Sequence, residues 1–165
     1  MARRARLTET PAPISPRGAQ ILGYGGLVPF AGTGVLAWIS WPTEMAQTAL
    51  QAQLVYAAIV LSFIGGIRWG IAMSKRGHFI RRSPDGLGTE FALAALPAAM
   101  GWMILFAPHE VALIVFALFF AAQAVSDHRA VKTEDAPPWY GALRVRLTIF
   151  VELAFAASLA RLLVP

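Results

Sequence analysis

Apolar residues run along this chain in long blocks, and the polar residues gather in short connections between them. A membrane-spanning helix needs roughly 20 mostly apolar residues, each adding about 1.5 Å. Blocks of that kind extend from about Ala19 to Trp41, Ala46 to Met73, Gly88 to Ala107, Val111 to Ser126 and Trp139 to Val164. The pattern predicts an all-α polytopic membrane protein, a bundle of five transmembrane helices over residues 19–165. Residues 1–18, rich in arginine and proline, read as a disordered, uncleaved basic tail, because no small-residue cleavage site follows a short apolar core. Pro29 and Pro97 are expected to kink the first and third helices. The glutamine-rich start of the second block reads as interfacial. The short third and fourth blocks are joined by "APHE", where proline stops the incoming helix.

Charge adds an orientation. Arg3, Arg4, Arg6 and Arg17 precede the first block. Lys75, Arg76, Arg81 and Arg82 lie in the second connection; Arg129, Lys132, Arg144 and Arg146 lie in or beside the fourth. The first and third connections carry only Glu44 and Glu110. Twelve of the fourteen basic residues therefore fall on one side, leaving Arg68 and Arg161. By the positive-inside rule the N-terminus is cytoplasmic and the C-terminus external.

Composition supports the bilayer and narrows the chemistry. The 165 residues are 57% hydrophobic and 14% charged, against roughly 45–50% and 25% in soluble domains. The net charge of +5 comes in short clusters rather than as a basic face, which argues against nucleic acid and for anionic headgroups. There is no cysteine. No HExxH, Cys/His metal spacing or phosphate loop appears, and "SDH" at 126–128 places its residues side by side rather than convergent. The expectation is a non-enzymatic chain with no catalytic residues, metal or cofactor.

Two features of the second block stand out. Ala58, Ser62, Gly66, Gly70 and Ser74 recur every four residues, a small-residue stripe suited to close helix packing within the chain or in a homodimer. Arg68 lies about 200° round from Gly66 and about 8 Å inside the cytoplasmic end. A charge at that depth costs on the order of 2–3 kcal/mol unless it is paired or reaches water. It can snorkel beside Trp69, or pair with Asp127 at the end of the fourth block or with Glu152 on the fifth. Arg144, Thr148, Glu152 and Ala156 follow helical spacing and give the fifth helix one polar stripe. Trp69, Trp139 and Tyr140 read as cytoplasmic interface anchors, Trp38 and Trp41 as external ones. Phe116, Phe119 and Phe120 are expected to face lipid or a neighbouring helix.

"LGYGGLVPF", "VLSFIGGIRWG" and "PPWYGALRVRLT" together resemble domain-of-unknown-function family 3429, which also contains the mitochondrial transmembrane protein 69. The resemblance implies a small multi-helix inner-membrane protein, bacterial or mitochondrial, with no assigned activity. It directs attention to Gly65, Gly66, Arg68, Trp69, Asp127, Trp139, Tyr140, Arg144 and Arg146, and it raises Asp127 over Glu152 as the partner of Arg68. A bacterial member is favoured. Two roles stay open: an accessory or assembly factor docking onto a larger membrane complex, and a carrier or binder of a small anionic molecule, lipid headgroup or quinone at the cytoplasmic Arg/aromatic cluster.

Overall fold

The computed structural model describes residues 16–74 and 84–164, and these are all-helical. The helices are α1 (Arg17–Gly25), α2 (Val28–Ile39), α3 (Glu44–Ser74), α4 (Pro84–Ile104), α5 (His109–Lys132) and α6 (Pro138–Leu163). Most of the basic tail, and the basic residues and His78 of the 75–83 connection, lie outside the described residues. Three described helical stretches are long and apolar enough to cross a membrane: Arg17–Ile39, Glu44–Met73 and His109–Lys132. Helix α6 is 26 residues long but carries Arg144, Arg146, Glu152 and Arg161.

The first block forms two helices. Pro29 has no N–H to give the preceding turn, so the ladder stops at Gly26–Leu27 and restarts with proline in the first turn of α2. The Tyr56 hydroxyl crosses from α3 to donate to the freed Gly26 carbonyl at 3.0 Å. Gln53, one turn away, is fully buried and donates to the Phe30 carbonyl at 3.0 Å. Of the glutamines at the start of the second block, Gln47 and Gln51 are exposed and Gln53 belongs to the interior.

Helix α3 runs antiparallel to α2 on one side and to α4 on the other. Its close approach to α4 is through Gly65, where an added Cβ would sit 2.6 Å from the Ala94 carbonyl oxygen, and through Ala58 against Gly101. The expected small-residue stripe meets a helix of this chain at Ala58 but not along its middle. Ser62, Gly66 and Gly70 are exposed, and a Cβ on either glycine would meet nothing within 4 Å. The reason is register: Leu54, Leu61 and Ile64 commit the neighbouring face to the core, and Gly65 shares that side with them.

The core is aromatic. Phe30, Phe116, Phe120 and Phe155 are all but fully buried and meet edge-to-face or stacked, with ring centroids 5.6–6.3 Å apart. Phe116 and Phe120 thus face inward, and only Phe119 is partly exposed. Leu22, Ile39, Phe63, Phe106 and Leu153 point outward, each at least 60% exposed. So much outward apolar surface fits a lipid surround.

Helix α5 runs past Ser126, where the apolar block ends, through Asp127, His128 and Arg129 to Lys132. Hydrophobicity marks where a helix leaves lipid, not where its backbone hydrogen bonds stop. The stop is the turn at Thr133–Pro137, with Glu134 in the left-handed region at φ 59° and the amides of Asp135 and Ala136 both returning to the Ala130 carbonyl. That turn brings the start of α6 back against the last turns of α5.

At the opposite end, the other unassigned arginine is accounted for. The Arg161 guanidinium carbon lies 5.4 Å from the Trp38 ring centroid and 4.8 Å from that of Trp41. It also donates to the Val164 carbonyl at the end of α6. Two indole faces and a helix C-terminus hold a cation where the charge rule does not expect one.

Candidate functional site

The turn after α5 places Asp127 opposite Arg144, four residues up α6 from Tyr140. Asp127 is completely buried. The Arg144 Nε–H donates to its Oδ2 at 2.8 Å, while Arg68 Nη1 stands 4.0 Å from Oδ1 without a hydrogen bond. Arg144, which the sequence analysis placed in the cluster but did not pair, is thus the main partner of Asp127, and Arg68 is secondary. The missed signal was continuity of α5: only with Asp127 inside a helix does its side chain point at α6. The Tyr140 hydroxyl sits beside the same carboxylate.

Other named residues fall outside this contact. Glu152 forms no ion pair with Arg68, and its Oε1 is buried without a hydrogen-bond partner. Arg146 is exposed. Trp69 is 43% exposed and its ring lies 4.7 Å from that of Phe91. Trp139 is partly buried, against Tyr140 and the small cluster of Ala130 and Ala136.

Beside the Asp127–Arg144 pair lies a cavity of about 620 Å³, within the range of small-molecule sites. It exists because α2 packs along α3 and α6, whereas α1, beyond the break at Gly26, leans on α6 through Gly23 against Leu147. Most of its wall is apolar, including Phe30, Ile59, Val60, Phe63 and Phe120. Leu22, Ile59 and Phe63 are also highly exposed, so they form a rim that opens sideways.

One end is different. Tyr140, Arg144 and Thr148 line it, and they are only 9%, 8% and 6% exposed. The Tyr140 hydroxyl is turned toward Asp127, while Arg144 Nη2 and Thr148 Oγ1 are buried without a hydrogen-bond partner. Buried polar groups are almost always satisfied, and leaving one unmet costs about 1–3 kcal/mol. The cavity wall is apolar except where Tyr140, Arg144 and Thr148 contribute to it. Sequence reasoning named Tyr140 and Arg144 but not Thr148 or the cavity itself.

Arg68 lines a separate cavity of about 100 Å³ with Glu90 and Asp135. Among the described residues no group of three or more His, Asp or Glu side chains could hold a metal.

A family model described as "Protein of unknown function (DUF3429)" matches residues 15–160. The chain is similar to transmembrane protein 69 of Xenopus tropicalis, 26% identical over 147 residues, covering 88% of this chain and 54% of the relative. It is also similar to transmembrane protein 69 of Mus musculus, 25% identical over 147 residues, covering 88% of this chain and 56% of the relative. The chain thus spans little more than half the length of these relatives. No solved structure matches it.

Proposed function

The chain belongs to the DUF3429 family of membrane proteins, and on that premise we propose that it is a small, non-enzymatic inner-membrane protein that holds an amphiphile in its side-opening cavity. One observation carries this role: an otherwise apolar space of about 620 Å³ has Tyr140, Arg144 and Thr148 in its wall and a rim that faces outward. A bound amphiphile would set its head beside Tyr140, Arg144 and Thr148 and its tail between α1 and α3. The protein would cross the membrane five times with its N-terminus in the cytoplasm. At about 1.5 Å per residue, α4 with 21 residues reaches across a hydrocarbon core of about 30 Å, and α6 with 26 does so with tilt. The polar end of the cavity then lies toward the cytoplasmic leaflet of a bacterial membrane, or the matrix leaflet of a mitochondrial one.

The test is purification in a mild detergent followed by extraction and mass analysis of retained lipids and isoprenoids. Wild-type protein should retain a near-stoichiometric amphiphile. Val60→Trp, which puts an indole into the cavity, should lose it while keeping the melting temperature. Retention of nothing by the wild type would end this proposal.

A second role, as an accessory or assembly factor, is favoured by the outward face of Ser62, Gly66 and Gly70, which no helix of the chain covers among the described residues. A close helix approach there suits a partner membrane protein or a second copy. Cross-linking from Ser62→Cys in native membranes would capture such a neighbour.

A further inference from the structure

The mouth of the large cavity is framed on one side by α1, and given the amphiphile-holding role proposed above, that helix decides how a molecule enters. Ala19, Leu22 and Gly23 of α1 line the cavity, as does Gly26 just beyond it. Yet no residue of α1 is buried, and Ile21 and Leu22 are 71% and 79% exposed. This side of the wall is therefore a nine-residue helix that lies over the opening without entering the core. A helix so short draws its stability from packing, and an element with no buried side chain opens at low cost.

The joint between α1 and α2 suits bending. Gly26 has a helical backbone at φ −65°, no described glycine has a positive φ, and a Cβ added at Gly25 would meet nothing within 4 Å. Neither shape nor space therefore calls for glycine at 25 in this arrangement. What glycine supplies there is a backbone that leaves the helical region at little cost. One side of the joint is fixed, because the Tyr56 hydroxyl of α3 donates to the Gly26 carbonyl at 3.0 Å. On the other side α1 meets α6 where Gly23 approaches Leu147 and where the Tyr24 ring stands edge-on to Phe150, centroids 6.5 Å apart. Both contacts with α6 are apolar, and lipid tails can replace them because they are as apolar as the side chains they displace.

We infer that α1 is a hinged lid on the cavity: it pivots about Gly25–Gly26, parts from α6 while Gly26 stays tied to α3, and opens the space sideways to amphiphiles already in the membrane. Entry from lipid spares an apolar tail any passage through water.

The test uses the purified full chain in detergent micelles, where the lack of native cysteine makes engineered pairs unique. Tyr24→Cys with Phe150→Cys, bridged by a reducible bifunctional methanethiosulfonate, pins α1 to α6 without touching the cavity wall, since neither residue lines it. The probe is cis-parinaric acid, whose fluorescence rises in an apolar cavity, and Val60→Trp serves as the blank. Pinning should slow probe entry at least about tenfold, and reduction of the bridge should restore it, as where lid opening limits exchange. Gly25→Ala, which stiffens the pivot without a clash, should slow entry by a smaller factor. Nitroxide labels on Leu22→Cys and Phe63→Cys, on opposite sides of the mouth, read the motion with no ligand present and should report two separations. Equal entry rates before and after reduction, or a single separation across the mouth, would overturn the lid and leave the amphiphile role standing. Probe fluorescence no higher than the blank in every variant would remove the amphiphile role and the lid with it.

Discussion

A carboxylate with no exposure, as at Asp127, needs close partners to offset the cost of its burial. Arg144 meets it at 2.8 Å from a side chain that is itself buried; Arg68 reaches 4.0 Å from one that is partly exposed. The two arginines are therefore not equivalent. Arg144→Ala is expected to lower stability by roughly 3 kcal/mol, because it strands a buried charge. Arg68→Ala should cost under about 1 kcal/mol, as for a partly solvated pair. A double-mutant cycle read by thermal unfolding in detergent separates them, because contacting residues couple. Coupling with Asp127→Asn should be roughly 1–2 kcal/mol for Arg144 and smaller for Arg68. Equal coupling would mean that Arg68 is the principal partner after all. Glu152→Gln should change little in the same assay, since no ion pair is lost.

At the scale of helices, two substitutions probe backbone rather than charge. Gly65 sits where a Cβ would lie 2.6 Å from a backbone oxygen of α4, an atom that cannot rotate away. Gly65→Ala should therefore push α3 and α4 apart and cost roughly 1–3 kcal/mol, as overpacked cores do. Gly66→Ala, in open space, should be neutral or slightly stabilising, by up to about 1 kcal/mol from reduced chain entropy. If Gly66→Ala destabilised as much as Gly65→Ala, the helix faces would be assigned the wrong way round. The turn that joins α5 to α6 holds Glu134 at φ 59°, where a side chain is strained and glycine is not. Glu134→Gly should raise the melting temperature, by the equivalent of about 1 kcal/mol. A fall would show that the Glu134 side chain has a compensating contact.

For the whole molecule the expectation is topological. Reporter fusions after Glu44, Pro84, Glu110 and Glu134 should read outside, inside, outside, inside, following the alternation of acidic and basic connections. A Glu110 fusion reading inside would mean that α4 and α5 form a re-entrant pair. Much of this scale was legible without coordinates. Span length and loop charge depend on local composition, so the helical class and the membrane setting were determined by the sequence alone, as were the family and the attention to Arg68, Asp127 and Arg144. Tertiary structure decided what lies at atomic reach. Whether Gly65 or Gly66 meets a neighbour depends on a 100° rotation that Leu54, Leu61 and Ile64 settle by entering the core. Asp127 chose Arg144 because α5 continues past its apolar block and a left-handed turn returns the chain. The cavity depends on α1 and α3 diverging beyond a proline break, and no periodicity along one helix records the gap between two.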